Sequence, residues 1–109
     1  MTRGSVYLVQ KGKGDPNDPK DQRLFVIVSR NALIQSKFST VICAPILTEY
    51  IPLETQVVID GIGLVKHASA ITCDGLVSLK KSDLTNFIGT LKPDDLEKMD
   101  AALKAALAL

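Results

Sequence analysis

The sequence predicts a mainly β fold with one C-terminal helix (β+α), in which short strands form a compact, partly closed barrel. Two apolar runs, residues 24–28 and 41–47, are short, rich in β-branched or aromatic side chains and bounded by polar residues, which is typical of buried strands. The Ala- and Leu-rich segment after Pro93 predicts the helix. The length of 109 residues suits a single core, so we predict one domain over residues 1–109.

The remaining strands follow from the same pattern of short apolar runs between turn-rich segments. We predict strands at residues 5–10, 25–29, 41–46, 55–59, 69–73 and 87–91, with residues 75–79 either extending the fifth strand or forming another. Pro45 suggests an edge or a bulge in the third strand. Residues 11–22 hold two Gly, two Pro and three Asp and are predicted to be irregular. We predict one or two helical turns at residues 31–38, a turn at 61–63, and a short helical or turn segment at 80–84.

The C-terminal helix has a clear start and a clear apolar face. Pro93 suits the first helical turn, and the acidic residues at 94 and 95 complement the positive end of the helix dipole. Leu96, Met99, Leu103 and Leu107 recur at spacings of three and four, so we predict that this face packs on the sheet.

Composition excludes several functional classes. The net charge is +1, and although residues up to position 37 hold seven basic against three acidic side chains, charge alone favours an ordinary mixed surface. Cys43 and Cys73 lie in apolar runs and are predicted to be buried, reduced thiols. No apolar run is long enough to span a bilayer and the N-terminus lacks a signal-peptide core, so we expect a cytoplasmic protein with no membrane contact.

The side chains available for chemistry are Arg, Thr, Asp and Lys near strand ends. There is one histidine, no Cys-x-x-Cys and no phosphate-cradling glycine motif, so we predict no metal and no cofactor. A Ser-His-Asp triad stays open, although no nucleophile-elbow motif is present. The set suits metal-free cleavage of RNA, in which a guanidinium binds the phosphoryl oxygens. Residue types alone do not compel that function.

The order of motifs along the whole chain resembles the MazF/PemK toxins, metal-free mRNA interferases of toxin–antitoxin modules. Arg-Gly-Ser-Val-Tyr at residues 3–7 is similar to that family's Arg-Gly-Asp-Val-Tyr/Trp, and Gln-Arg-Leu-Phe-Val-Ile-Val-Ser at 22–29 to its Arg-Pro followed by a Val-rich strand. Val-Ile-Cys-Ala-Pro-Ile-Leu-Thr at 41–48 resembles its Val-x-x-Ala-Pro-x-Thr. Residues 55–57 and 69–81 match its Thr-x-Val strand and its Ser-x-x-x-x-Asp/Glu-Gln-Ile-Arg-Thr-x-x-Lys run.

The resemblance implies an SH3-like small barrel of the CcdB/PemK/MazF type that forms a homodimer, binds single-stranded mRNA and is neutralised by a cognate MazE-like antitoxin. It implies that Arg23 stabilises charge or moves a proton, that Thr48 contacts the scissile phosphate and that Asp74 is a candidate base. The family's products carry 2′,3′-cyclic phosphate and 5′-hydroxyl ends. The candidate RNA-binding residues are Lys20, Gln22, Ser69, Thr72 and His67.

The chain departs from the family pattern near these positions, and other interpretations stay open. Ser5 replaces an Asp, Leu24 a Pro, Gly75 a Gln and Val77 an Arg. Thr72 stands where some members have an Arg two residues before the Asp. The main alternative is a non-catalytic, CcdB-like toxin that binds DNA gyrase. A further alternative is a barrel domain that acts only as an adapter.

Single residues also have plainer interpretations. Thr48 can be a turn hydroxyl that bonds its own backbone, and Asp74, beside a glycine, can be a turn-forming residue. His67 can be a solvated loop residue, or a proton shuttle if it reaches the site.

Overall fold

A computed structural model describes residues 1–10, 22–60 and 68–109 of the chain. Within these ranges the strands are β1 (Ser5–Gln10), β2 (Gln22–Ile27), β3 (Thr40–Leu47), β4 (Gln56–Ile59), β5 (Ser69–Thr72), β6 (Val77–Lys80) and β7 (Asn86–Thr90). The helices are α1 (Asn31–Ile34) and α2 (Pro93–Leu107), and single 3₁₀ turns lie at Cys73–Gly75 and Lys81–Asp83. No helix in the described part of the chain is long and apolar enough to cross a membrane.

The described strands form one curved antiparallel sheet with β3 at its centre. The strand order is β4-β5-β3-β2-β1-β7, and β6 pairs separately with β3. The sheet curves into a half-barrel, and α2 packs against its β4 end. The predicted fold, a small β barrel with a C-terminal helix, is confirmed.

Pro45 lies inside the central strand, where the expected edge or bulge is replaced by a gap in strand pairing. One edge of β3 pairs with β2, including Phe25 opposite Pro45. The other edge pairs with β6 through residue 43 and with β5 from residue 46. The 3₁₀ turn Cys73–Gly75 fills the gap between β5 and β6. A residue without a backbone N–H is tolerated there because no ladder continues across it.

Successive side chains of a strand point to opposite faces, and the sheet has an apolar cluster on each. The first cluster packs against α2 and is formed by alternate residues of the inner strands, including Val26, Ala44, Ile46, Val57 and Ile71. The second cluster lies on the other face and includes Tyr7, Val9, Phe25, Ile27 and Cys43. Because Arg23 alternates with Leu24, its side chain belongs to the second face. We call this second face the Arg23 face.

Helix α2 begins at Pro93 as the sequence predicts, but its buried stripe is shifted at the C-terminal end. Pro93 opens the helix, and Ala108 closes it in the left-handed conformation with φ of 57°. Met99 and Ala102 are buried, and Leu96 and Leu103 pack partly against the same core. The prediction that Leu107 packs on the sheet is wrong, because its side chain is 53% exposed. The helix extends past the sheet there, and the smaller Ala106 makes the last contact with the core.

Gly4 joins the N-terminus to the sheet in a conformation that other residues avoid. Its φ is +91°, and a Cβ at this position would lie 2.7 Å from Leu96 Cδ2. The Gly4 N–H donates to the Ile27 carbonyl at 2.9 Å, and its carbonyl accepts from the Leu91 N–H at 3.0 Å. A glycine is therefore required where β2, β7 and α2 meet.

Several predicted boundaries move, and strand pairing explains the shifts. β2 begins at Gln22 instead of residue 25 because Arg23 and Gln22 continue the ladder opposite Val9 and Gln10. It ends at Ile27 instead of residue 29. Residues 77–80 form a separate strand because they pair with β3 instead of extending β5. The predicted turn at 61–63 and residues 11–21 of the predicted irregular segment 11–22 lie outside the described residues. The prediction that residue 22 is irregular is wrong, because Gln22 pairs with Gln10 as the first residue of β2.

Candidate active site

Arg23 is the second residue of β2 and projects from the Arg23 face near the end of the strand. Its backbone pairs with Val9 of β1, which holds the residue in place. Its side chain is exposed. Among the ion pairs and hydrogen bonds of the described residues, none involves the Arg23 guanidinium. The group is therefore available for an external anion.

Arg23 lines an open groove of about 370 Å³ whose other walls are mostly apolar. The lining residues are Val9, Gln10, Arg23, Phe25, Pro45, Val77 and Leu79. Four strands contribute, because β1, β2 and β3 are neighbours and β6 pairs with β3. An unpaired guanidinium beside an aromatic ring and aliphatic walls suits a ligand that carries both an anion and a flat apolar surface.

The backbone of Thr48 lies near that of Arg23 on the neighbouring strand, but Thr48 does not line this groove. It follows the last residue of β3 in a bend, and its side chain is exposed. Leu24 pairs with Ile46. If the same antiparallel register continues, Leu47 lies opposite Arg23, and Thr48 lies one residue beyond it. Strand spacing then puts the Arg23 and Thr48 Cα atoms about 6 Å apart. The register therefore brings the backbones of the two residues close together at adjoining strand ends, whereas their roles at a site stay predictions.

Asp74 lies in the 3₁₀ turn between β5 and β6, beside the gap at Pro45. Its Oδ2 accepts a hydrogen bond of 2.5 Å from the Thr55 hydroxyl. The following residue, Gly75, is so close to the groove wall that a Cβ there would lie 3.4 Å from Pro45 Cγ. Asp74 thus connects the start of β4 to the edge of the groove, and its carboxylate is exposed.

The candidate RNA-binding residues do not all lie at the groove of Arg23. Gln22 is the first residue of β2 and adjoins Arg23. Thr72 is half-buried at the end of β5, and its methyl group would lie 3.9 Å from a Cβ on Gly75. Ser69 is buried, with 2% of its surface exposed, and is not part of the groove surface. Lys20 and His67 lie outside the described residues.

Cys43 and Cys73 are free and buried, as predicted. Burial raises the pKa of the Cys43 thiol from 9.0 to about 12. Burial, and secondarily the negative charge of Asp74, raises the pKa of Cys73 to about 11. Both thiols are therefore protonated at neutral pH. In the described part of the chain no three His, Cys, Asp or Glu side chains cluster in a way that would hold a metal ion.

Sequence reasoning missed the groove walls and Gln56. Phe25, Pro45 and Val77 carry no functional signal in the sequence, yet they line the groove beside Arg23. Gln56 carries a buried side-chain oxygen without a partner among the described residues. Strand alternation would have indicated the face of each residue, but only the pairing register shows which strands adjoin.

The described residues form a small, curved β-sheet protein with a helix on one face and an exposed arginine at a groove on the other. The sequence model of PemK-like, MazF-like toxins of type II toxin–antitoxin systems matches residues 2–107. The chain therefore belongs to the PemK/MazF family of toxins. A search of curated proteins by sequence finds no significant match.

Solved structures with the same fold cover nearly the whole chain. An endoribonuclease from a mycobacterial species, in complex with its cognate antitoxin, has 25% identity and a TM-score of 0.83 over 100% of this chain and 96% of its own. The Mycobacterium tuberculosis toxin MazF-mt6 has 23% identity and a TM-score of 0.79, over 96% and 97%. The MazE-MazF complex of Deinococcus radiodurans has 13% identity and a TM-score of 0.74, over 100% and 96%. These matches do not favour the gyrase-binding alternative.

Proposed function

We propose that this toxin is a metal-independent, sequence-selective endoribonuclease that cleaves single-stranded mRNA. The substrate's own 2′-hydroxyl attacks the adjacent phosphorus, and the bond from phosphorus to the 5′-oxygen breaks. The products carry a 2′,3′-cyclic phosphate and a 5′-hydroxyl. Family membership and the mycobacterial endoribonuclease of the same fold support this proposal.

The observation that carries the proposal is the unpaired guanidinium of Arg23 in an apolar groove. Negative charge builds up on the non-bridging phosphoryl oxygens as the 2′-oxygen attacks. A guanidinium offers these oxygens two parallel N–H donors and keeps its charge at every physiological pH. The neighbouring apolar walls, Phe25 among them, give an unstacked base a surface to lie on.

The remaining steps are assigned to Thr48 and Asp74. In the proposal Asp74 accepts the proton of the 2′-hydroxyl, and the leaving 5′-oxygen takes a proton from solvent water, whose hydroxide is neutralised by the protonated Asp74. The exposed Thr48 hydroxyl donates a neutral hydrogen bond to the scissile phosphate. Asp74 also accepts a hydrogen bond from the Thr55 hydroxyl. The same carboxylate would therefore both stabilise the 3₁₀ turn and act on the substrate.

The proposal includes the assembly expected for such a toxin. We propose one domain over residues 1–109, a cytoplasmic location, a homodimer and inhibition by a cognate MazE-like antitoxin. The complexes of the mycobacterial endoribonuclease and of the Deinococcus toxin with their antitoxins support the last point.

The test is cleavage of a long single-stranded RNA by purified protein in EDTA, with mapping and end analysis of the fragments. The proposal predicts discrete fragments with 5′-hydroxyl and 2′,3′-cyclic phosphate ends. A matched oligonucleotide with a single 2′-deoxy nucleotide before the cut must stay intact, because its nucleophile is missing. Intact RNA with folded protein, or cleavage of the 2′-deoxy substrate, would contradict the proposed reaction.

A further inference from the structure

A row of ring-bearing side chains crosses the Arg23 face of the sheet. The chain has two tyrosines and three phenylalanines, and three of these five aromatic residues belong to the row. Tyr7 of β1 is paired with Phe87 of β7 on one side and with Phe25 of β2 on the other. Phe25 is in turn paired with Pro45 of β3. Because directly paired residues point to the same face, the four rings lie side by side across four neighbouring strands.

Phe87 forms an exposed end of this row. It lies on the last strand of the sheet order, and 56% of its surface is exposed. Tyr7, beside it, is buried in the second cluster, with 7% of its surface exposed. The two ring centroids are 5.6 Å apart and the ring planes make an angle of 66°. Such an edge-to-face contact holds the Phe87 ring in place and leaves one of its faces uncovered by Tyr7.

The other end of the row enters the groove of Arg23. Phe25 and Pro45 both line that groove. Arg23 lies two residues before Phe25 on β2, so its side chain leaves the same face about 7 Å away. Phe87 is two strands from β2, which puts its Cα atom about 10 Å from that of Phe25. The guanidinium, the ring in the groove and the exposed ring of Phe87 thus lie on one continuous surface.

Building on the proposed nuclease activity, we propose that Phe87 is a stacking subsite for a second base of the same RNA strand, outside the groove. Aromatic rings on a sheet surface bind single-stranded RNA by stacking on unpaired bases. A phosphate held by Arg23 fixes the strand beside Phe25, and a base a few nucleotides away then lies on Phe87. Every base has a flat face, so this subsite adds affinity for the strand that flanks the cut without selecting one base.

The test measures dissociation constants for oligonucleotides with a 2′-deoxy nucleotide before the mapped cut, which bind without being cleaved. A series with one abasic nucleotide at successive positions on each side of the cut locates the base that stacks on Phe87. At that position the abasic strand is expected to bind wild-type protein roughly 5- to 150-fold more weakly, and Phe87→Ala is expected to lose the same factor with the intact strand. Phe87→Ala and the abasic strand together give no further loss, because both changes remove the same contact.

Phe38→Ala is the matched control for the loss of an exposed phenyl ring. Phe38 is 58% exposed, but it lies before the start of β3, whereas Arg23 lies near the end of that strand. Its replacement is expected to leave the affinity for every oligonucleotide unchanged. Phe87→Tyr keeps an aromatic ring and is expected to bind the intact strand as wild-type protein does.

Two results would overturn the stacking subsite alone. In one, wild-type protein cuts unmodified RNA but Phe87→Ala binds the intact strand as tightly as wild type. In the other, Phe87→Ala weakens the intact strand and every abasic strand by the same factor, or changes only the sedimentation of the protein, so that the ring serves folding or a contact between copies. If wild-type protein cuts no unmodified RNA, the proposed function fails and the subsite fails with it.

Discussion

The hydrogen bond between Thr55 and Asp74 allows the structural and the chemical role of Asp74 to be measured separately. The Thr55 hydroxyl donates this hydrogen bond to Asp74 Oδ2, and the Asp74 side chain is exposed to solvent. Solvent screening reduces the contribution of such a bond, so we expect Thr55→Val to lower the free energy of unfolding by about 1 kcal/mol. For a chain of this size that is a fall of about 4 °C in the thermal midpoint.

Asp74→Asn keeps an oxygen that accepts the Thr55 hydroxyl but removes the basic carboxylate. We therefore expect a smaller loss of stability than with Thr55→Val, together with a fall in single-turnover RNA cleavage of about 100-fold or more. Thr55→Val keeps the carboxylate and is expected to retain most of the cleavage rate. The assays are thermal unfolding and single-turnover cleavage with saturating protein. If Asp74→Asn cleaves at the wild-type rate, Asp74 is a turn residue and not the base.

Two other predictions concern the core. Met99→Ala is expected to lower the free energy of unfolding by about 2–4 kcal/mol because Met99 is fully buried. Leu107→Ala is expected to change it by about 0.5 kcal/mol or less because Leu107 is exposed. Urea denaturation of both variants measures these losses, and equal losses would contradict the observed orientation of the helix. The raised thiol pKa values predict that stability falls as pH rises from 9 to about 11–12, because unfolded thiols lose protons that Cys43 and Cys73 keep in the folded state. In a variant with both cysteines changed to Ala this part of the pH dependence should disappear, and an unchanged slope would refute its assignment to the thiols.

The fold could be predicted from sequence because its signals are local. Each signal depends on only a few neighbouring residues. Examples are the strand-like runs around Phe25 and Ile42, the turn residues between them, and Pro93 at the start of the helix. The errors arise where tertiary context decides. β2 begins at Gln22 because β1 offers a partner, and Leu107 is exposed because the sheet ends before the helix does. No local pattern carries that information.

The candidate site was only partly predictable. Arg23 was recognisable from its place before an apolar run and from the family resemblance, and the pairing of β2 with β3 places it near Thr48. The apolar groove, the bond between Asp74 and Thr55 and the position of Gln56 depend on strand pairing between segments far apart in sequence. Residue types alone do not show such pairing.

The most direct test of the central claim is the single-turnover cleavage rate of Arg23→Ala beside Arg30→Ala, with RNA affinity measured for both. Arg30 is an exposed arginine just beyond the same strand, so its replacement removes the same charge away from the groove. We predict that Arg23→Ala cleaves about 100-fold or more slowly while RNA binding weakens far less, because the guanidinium acts mainly on charge that develops in the transition state. Arg30→Ala is expected to cleave at nearly the wild-type rate. Equal rates for the two variants would contradict the assignment of Arg23 to the active site.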